Sequence, residues 1–384
     1  MNQKKAIKSI VLILLYVLLA PFATSKLLAS ESVSTSQSAT ISIGSPCAED
    51  PSCVIVGGTH MLEWKSTNPA KIIVVCIHGL GLCARAYKPL AQELSAAGID
   101  GFGVNVRGFG PDRDKPDRSK LDCVDTVDDV NNLLVRIHKE YPDYKVILVG
   151  ESMGGALAIR ITAENPNLVD SIVCSAPAWK LLKMRRTAAK GIFELFLFSG
   201  SGPGPAVRAV IKQATSDPKL SEHWLADSSH KLKLSLGEAT SFFGFINKTD
   251  KYAKQIEKPV LVIQGLNDHL VSPRSVAALF RDIPSDNKTF LIDGKGEHLV
   301  LEEDRFTKAL TEKLIDWMKI DAVAQSPRFT VEVVNDQALS TAENRRLKKL
   351  RRLAESHHEN SLLLGSVDRR TPNAKPILHY SSTD

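Results

Sequence analysis

The sequence predicts an α/β fold in which helices cover both faces of a mostly parallel, doubly wound sheet. Short apolar runs rich in β-branched residues recur along the chain, at residues 71–77, 99–106, 145–149 and 168–175. Helical segments separate these runs, and such alternation is typical of parallel strands joined by crossover helices. The strands are predominantly apolar, which indicates burial on both faces. A chain of 384 residues with 43% apolar residues is long enough for one large domain with appendages.

The N-terminal segment, residues 1–25, has the pattern of a secretory signal peptide. Three lysines precede an apolar run at residues 10–20, and small residues follow it. The run is shorter than the roughly 20 residues that span a bilayer, and an uncleaved membrane anchor is the alternative. Both interpretations predict an exported protein in the periplasm, the cell envelope or the medium. Residues 26–60 are then an exported linker segment, because residues 30–45 are rich in Ser and Thr.

Six cysteines in an exported chain permit disulfides. A small bridge between Cys47 and Cys53 is plausible, whereas Cys76 and Cys174 lie inside strands and are predicted to be core thiols. Cys83 and Cys123 are a further possible pair, although the sequence does not decide the connectivity. No pair has the spacing of metal ligands, so we predict neither a structural metal nor a cofactor.

Two polar residues follow the first buried strands. His78 comes directly after the strand at 71–77, and Arg107 follows the strand at 99–106. A catalytic base at His78 is less favoured than a histidine that braces its loop, since a better candidate base lies later in the chain. Arg107 is predicted to anchor loops by hydrogen bonds rather than to contact substrate. Residues 125–140 form a predicted helix with an acidic first turn and a basic last turn.

The most informative stretch is residues 145–158. An apolar strand runs into Gly150-Glu-Ser152-Met-Gly154, and small apolar residues typical of a buried helix follow. Glycines two before and two after Ser152 permit a sharp strand-to-helix turn with the serine at its apex. This context predicts an exposed nucleophilic hydroxyl above a helix N-terminus.

A serine nucleophile needs a base and a group that orients the base. The strand that begins at residue 258 ends in a turn that carries Asp268, and the strand that begins at residue 289 leads into a glycine-rich loop with His298. The order Ser, Asp, His matches the order of this architecture. We therefore predict that Ser152 attacks, His298 transfers the proton and Asp268 orients the imidazole.

Together these motifs resemble the α/β-hydrolase family. Within it they are similar to the branch of monoacylglycerol lipases, lysophospholipases and hydrolases like serine aminopeptidase S33. The matching segments are His78-Gly-Leu-Gly81, Asn105-Val-Arg-Gly-Phe-Gly110, Gly150-Glu-Ser-Met-Gly-Gly155, Gln264-Gly-Leu-Asn-Asp268 and Gly296-Glu-His298. One departure is Glu151, where this branch most often carries His.

The resemblance implies an α/β-hydrolase fold over residues 61–320, with a helical cap inserted at about 177–257. It also implies an oxyanion hole formed by the backbone N–H groups of Leu80 and Met153. The inserted segment carries aromatic residues that either line an acyl-chain pocket or pack the cap onto the sheet domain. These residues are Phe193, Phe196, Phe198, Trp224, Phe242, Phe243 and Phe245.

The C-terminal segment, residues 321–384, has no counterpart in the family and is predicted to be a basic tail. Within it, residues 345–352 hold six basic residues, and Leu347, Leu350 and Leu353 recur at helical spacing. An amphipathic helix on an anionic membrane surface is one interpretation. A solvated charged helix or a disordered tail is the other.

The predicted function is hydrolysis of carboxylic esters through an acyl-enzyme. The expected partner is a small, lipid-like acyl ester such as a monoacylglycerol or lysophospholipid, with possible membrane contact through either terminal segment. An aminopeptidase or amidase on the same triad is an alternative, for which the cap offers only the scattered acids Glu222, Asp227 and Glu238. A non-catalytic binding module is a second alternative. The formal charge of +6 is modest and does not favour a nucleic-acid partner.

Overall fold

A computed structural model describes residues 53–56, 58–179, 205–226, 234–324 and 326–367. The described strands are β1 (Cys53–Val56), β2 (Thr59–Trp64), β3 (Ile72–Ile77), β4 (Asp100–Val104), β5 (Lys145–Glu151), β6 (Ser171–Ser175), β7 (Val260–Gly265), β8 (Asn287–Asp293) and β9 (Arg328–Val334). The described helices are α1 (Lys88–Ala96), α2 (Cys123–Glu140), α3 (Met153–Glu164), α4 (Pro205–Ala214), α5 (Pro218–Ala226), α6 (Leu236–Ile246), α7 (Thr249–Ala253), α8 (Pro273–Asp282), α9 (Lys308–Lys319) and α10 (Thr341–Val367).

The described strands form a single sheet in the order β1-β2-β4-β3-β5-β6-β7-β8-β9. Strand β2 pairs antiparallel with β1 and β4, and every other neighbouring pair is parallel. This arrangement confirms the predicted α/β class with a mostly parallel, doubly wound sheet. Because parallel strands share a direction, the loops after β3, β5, β7 and β8 emerge at one edge.

Both faces of the sheet are buried, and the side-chain alternation of β3 shows how. Ile73, Val75 and Ile77 belong to the apolar cluster that includes residues of α2 and α3. Ile72, Val74 and Cys76 belong to the opposite cluster, with residues of α1 and α9. Each side of the strand therefore faces its own layer of helices, as expected for parallel strands that are apolar along their length.

The cysteine predictions have mixed outcomes. Cys76 and Cys174 are buried in the sheet as free thiols, and burial raises the pKa of both. Cys123 is also a free thiol, so the possible Cys83–Cys123 disulfide is not formed. The pairing of Cys47 with Cys53 depends on a residue outside the described ranges.

The C-terminal segment contains the helix that its leucine spacing indicated, but its elements pack into the domain instead of forming a separate tail. Strand β9 adds to the sheet beside β8, in parallel register from Asn287 opposite Arg328 to Asp293 opposite Val334. Helix α10 packs on α8 through Leu347 and Leu350, which belong to the main apolar cluster. The boundary drawn at residue 320 thus separates elements that the structure packs together. The leucine face of α10 is covered by the protein itself and is not a free membrane-binding face.

Part of the inserted segment lies within the described ranges, as helices α4 to α7. Trp224, Phe242 and Phe245 are buried, and the two phenylalanines join the main apolar cluster. These aromatics therefore pack the insertion onto the sheet domain. Phe193, Phe196 and Phe198 lie outside the described residues, as does the predicted N-terminal signal or anchor. Among the helices that are described, none is long and apolar enough to cross a membrane.

Candidate active site

The turn between β5 and α3 places Ser152 at its apex. The serine has φ +54°, in the left-handed region that non-glycine residues rarely adopt. The flanking glycines permit close backbone approach. A Cβ on Gly150 would lie 2.2 Å from the carbonyl oxygen of Gly154, and a Cβ on Gly154 would lie 1.7 Å from that of Ile77. The predicted strand–turn–helix around the serine is present.

The three predicted triad residues come together at the carboxyl edge of the sheet. His298 Nε2 lies 3.0 Å from Ser152 Oγ, and His298 Nδ1 lies 2.9 Å from Asp268 Oδ2. All three side chains are buried, with Ser152 retaining 8% exposure. The serine hydroxyl, the imidazole and the carboxylate therefore form one continuous chain of hydrogen bonds.

The Asp268 carboxylate is held by the loop that carries it. Its Oδ1 accepts hydrogen bonds from the N–H groups of Leu270 and Val271, at 2.8 and 2.9 Å. Its Oδ2 accepts from Gln264 Nε2 at 3.0 Å as well as facing His298. These donors fix the carboxylate so that it can orient the imidazole.

The protonation of His298 is governed by opposing effects. Burial lowers the pKa of His298, because a buried cation loses solvation. The charge of Asp268, its hydrogen bond and the charge of Glu151 act the other way and leave the pKa above its usual value of 6.5. The surroundings of His298 therefore favour its protonated form more than water does.

The loop after β3 passes beside the serine. A Cβ added to Gly79 would lie 3.7 Å from the Cβ of Ser152, and Leu80 is the next residue of the same loop. Met153 is the first residue of α3, and the first N–H groups of a helix have no partner within it. Both predicted donors therefore belong to segments that border Ser152.

His78 and Arg107 stabilise loops, as predicted. His78 Nε2 accepts from the Val106 N–H at 3.0 Å, and its Nδ1 lies 2.8 Å from the Gly79 oxygen. Arg107 forms a two-pronged ion pair with Asp129, with both nitrogen–oxygen distances 2.8 Å. His78 therefore connects the loops after β3 and β4, and Arg107 connects the loop after β4 to α2.

Glu302 is a residue of the site region that the sequence did not single out. Its carboxyl group is fully buried and accepts from the N–H of Gly79, directly before Leu80. Glu151, noted only as a departure from the family pattern, is fully buried as well and accepts from the segment after His298. The only sequence signal for Glu302 is an acid four residues after the histidine, at the end of an apolar run.

Comparison with known proteins places these features in a family context. Residues 68–305 match the family described as serine aminopeptidase, S33. A monoglyceride lipase homolog of Monkeypox virus is 27% identical over 263 residues, which cover 66% of this chain and 92% of that protein. A monoacylglycerol lipase of Mycolicibacterium smegmatis is 25% identical over 271 residues, which cover 68% and 94%.

Solved structures share the fold. The monoacylglycerol lipase of Paleococcus ferrophilus superposes with a TM-score of 0.55 at 21% identity, covering 67% of this chain and 98% of that one. A soluble variant of the Saccharomyces cerevisiae monoglyceride lipase, in complex with a substrate analog, has a TM-score of 0.55 at 19% identity, with 75% and 98% covered. These likenesses support the same sheet and helix arrangement.

Proposed function

The chain belongs to the serine aminopeptidase S33 family of α/β-hydrolases, and on that basis we propose that it is a serine hydrolase that cleaves carboxylic esters. The observation that carries the proposal is the hydrogen-bond chain from Ser152 Oγ through His298 to Asp268, with distances of 3.0 and 2.9 Å. An unactivated serine hydroxyl is a weak nucleophile, and a buried histidine held by a carboxylate supplies the base that it needs.

The reaction proceeds in two halves. Ser152 Oγ attacks the ester carbonyl carbon while its proton passes to His298 Nε2. The tetrahedral intermediate collapses, the proton moves to the leaving alcohol, and an acyl-enzyme remains. Water then attacks the acyl carbonyl while His298 takes its proton, and His298 returns this proton to Ser152 Oγ as the bond to the acyl group breaks and the carboxylic acid leaves. Asp268 stabilises the imidazolium in both halves.

The negative charge on the carbonyl oxygen is stabilised by the N–H groups of Leu80 and Met153. Donors aimed at this oxygen lower the barrier because the charge develops only in the transition state. The Met153 N–H lies at the positive end of the α3 dipole, which favours an anion at the same place.

The substrate that we propose is a lipid-like ester of the monoacylglycerol or lysophospholipid class. The relatives named as monoglyceride lipases support this class. Within the chain, Leu82 and Leu299 lie beside the loops of Leu80 and His298 and are buried against Ile211 and Trp224 of the insertion, so the surroundings of the proposed site on this side are apolar.

Amide or peptide cleavage has less support. An aminopeptidase needs acidic groups free to bind the amine of its substrate. Glu238 accepts from the Leu121 N–H and caps its own helix, and Glu297 accepts from the Ser216 N–H while facing Arg305. Glu222 is exposed, and Asp227 lies outside the described residues. The described acids of this region are thus occupied or directed to solvent.

The proposal includes export and contact with an anionic membrane. The signal-like pattern of residues 1–25 supports export. The exposed basic face of α10 supports membrane contact, because its leucine face is buried against α8 while residues 345, 346, 348, 349, 351 and 352 are exposed. This contact is electrostatic and does not require insertion of the helix.

Covalent labelling tests the proposed chemistry. The purified full-length protein is treated with a fluorophosphonate probe, and the labelled peptide is located by mass spectrometry. We expect an adduct on Ser152 that Ser152→Ala and His298→Ala abolish, together with hydrolysis of p-nitrophenyl esters. A folded protein that takes no label and hydrolyses no ester would refute the proposal and favour a binding module.

A further inference from the structure

Two buried carboxyl groups lie behind the proposed triad, and the reaction scheme uses neither. Glu151 directly precedes Ser152, and Glu302 lies four residues after His298. Both are 0% exposed. Burial of a carboxyl group raises the free energy of the fold unless the group is neutral or accepts several hydrogen bonds. Two buried carboxyl groups close in sequence to Ser152 and His298 therefore indicate a structural or functional role.

Glu151 binds the segment that follows the histidine. Its carboxylate accepts from the N–H groups of Val300 and Glu302, each at 2.9 Å, and from Leu301 at 3.3 Å. The Ser175 hydroxyl donates to the same carboxylate at 2.5 Å. Three consecutive peptide groups are therefore fixed to the residue next to the nucleophile. The backbone that carries His298 cannot shift without breaking these bonds.

Glu302 forms hydrogen bonds to the loop after β3 that carries Gly79 and Leu80, which we call the oxyanion loop. The Gly79 N–H donates to both of its carboxyl oxygens, at 2.9 and 3.2 Å. The contact is close, because a Cβ on Gly79 would lie only 3.0 Å from Glu302 Oε2. Gly79 directly precedes Leu80, so this bond fixes the peptide next to the proposed oxyanion donor.

We propose that Glu151 and Glu302 are positioning residues that hold the histidine loop and the oxyanion loop in register with Ser152, Glu151 as a carboxylate and Glu302 as a neutral acid. The inference rests on the proposed function, since it concerns the same reacting groups. Glu151 receives hydrogen bonds from four groups, whereas the described contacts give Glu302 a single donor. The better supplied group is the one that can carry the charge.

The electrostatic surroundings of the two groups support a charged Glu151 and a neutral Glu302. Burial raises the pKa of Glu302 well above its usual value, and the charge of Glu151 raises it further. Burial also raises the pKa of Glu151, but hydrogen bonds from Ser175, Val300 and Glu302 and the charge of His298 oppose the rise. Four other titratable groups interact electrostatically with Glu151 or Glu302. They are Cys76, Cys83, Tyr87 and Glu303. The four have no positive charge, so none of them favours a second carboxylate.

The charge on Glu151 has a consequence at the histidine. Burial lowers the pKa of His298, and the charge of Glu151 acts with Asp268 to raise it above its usual value. Only neutral His298 can act as a base, so kcat/KM falls as the pH drops through that pKa. Removing the Glu151 charge lowers the pKa of His298, and the acid limb of the pH profile moves to lower pH.

Isosteric variants separate the two roles. Glu302→Gln keeps a neutral acceptor for the Gly79 N–H, and we expect kcat within about threefold of wild type and an unchanged pH profile. Glu302→Leu leaves that N–H without an acceptor, and we expect kcat to fall on the order of tenfold or more with little change in KM. Glu151→Gln is expected to lower kcat and to shift the acid limb to lower pH.

The measurements are kcat and KM on a p-nitrophenyl ester over a pH series, with thermal melting to verify folding. Equal loss in Glu302→Gln and Glu302→Leu would overturn the neutral-acid role, and an unmoved acid limb in Glu151→Gln would overturn the charged role.

Hydrogen–deuterium exchange supplies a readout that does not need activity. Faster exchange at residues 79–82 is expected in Glu302→Leu, and at residues 300–302 in Glu151→Gln. An inactive wild-type protein would count against the proposed function alone. Unchanged exchange in both variants would count against the positioning roles, whether or not the wild type is active, and loss of folding in Glu302→Gln would also overturn the neutral-acid role.

Discussion

Gly154 determines how closely the turn around Ser152 approaches strand β3. A methyl group at this position would lie 1.7 Å from the Ile77 carbonyl oxygen, a backbone atom that cannot move aside without shifting the strand. We expect Gly154→Ala to destabilise the fold by about 3 kcal/mol and to slow fluorophosphonate labelling, because the serine moves with its turn. Denaturant unfolding and labelling rate measure the two effects.

Gly244 is the matched control for that substitution. It lies in α6, is exposed, and has no atom within 4 Å of the position that an added methyl group would take. Gly244→Ala is expected to stabilise the helix by about 0.5–1 kcal/mol and to leave labelling unchanged. If both alanine variants behaved alike, the close approach at Gly154 would not be what constrains the turn.

At the residue scale, the sequence predicted the groups that sit in glycine-marked turns. Ser152 and His298 stand in loops whose glycines have a local steric reason, and Asp268 directly follows an apolar strand. Glu302 has no such signal, because its hydrogen-bond partner Gly79 is 223 positions away in the chain. A contact that only the folded sheet creates leaves no periodic trace in the sequence.

At the scale of secondary-structure elements, helix α10 belongs to the hydrolase domain. Leu350 is 2% exposed and packs in the main apolar cluster with α8. Leu350→Ala removes three buried carbon atoms and leaves a cavity, so we expect a loss of about 2–4 kcal/mol in the free energy of unfolding. Chemical denaturation measures it.

Arg352→Ala serves as the comparison, because this side chain is exposed on the opposite face of the same helix. Its effect is expected to stay within about 0.5 kcal/mol. A Leu350→Ala protein as stable as wild type would show that α10 is not packed on the domain.

Strand β9 was not predicted, and the helix α10 was predicted without its packing on the domain, for reasons that lie in their patterns. Strand β9 is an edge strand, and most of its residues are only partly buried, so its sequence does not read as a continuous apolar run. In α10 the leucine spacing indicated an apolar helix face, but a leucine face opposite six cations is equally typical of a membrane-surface helix, so the pattern did not show that α8 covers it. Strands β3, β5 and β7, buried on both faces, gave the clearest patterns and were predicted.

At the scale of the whole molecule, the basic face of α10 lies near the catalytic edge. Arg346 donates to Asn267 Oδ1 at 2.8 Å, and Asn267 directly precedes Asp268. Glu343, at the start of the same helix, faces Lys295 and accepts from Asn267. A membrane that binds this face would therefore lie close to the loop that carries Asp268.

Vesicle binding tests this orientation. We expect the protein to sediment with vesicles of phosphatidylcholine mixed with an equal part of phosphatidylglycerol, and not with phosphatidylcholine alone. Replacing Lys348, Lys349 and Arg352 by Gln is expected to weaken binding by about 1 kcal/mol for each charge removed, and added salt should weaken the wild type in the same direction. Cleavage of p-nitrophenyl acetate in solution should not change.

The control replaces Lys139, Lys254 and Lys319, which are exposed at the carboxyl-terminal ends of α2, α7 and α9. Each of these helices is followed by the start of a parallel strand (β5, β7 or β9), and the strands start at the edge opposite the triad, so these lysines lie towards that edge. Loss of the same net charge there should leave vesicle binding nearly intact, because screening limits each charge to its own surroundings. Equal weakening by both sets would mean that net charge, rather than the α10 face, attracts the membrane. Tighter binding to double-stranded RNA than to the anionic vesicles would instead identify a polyanion as the partner.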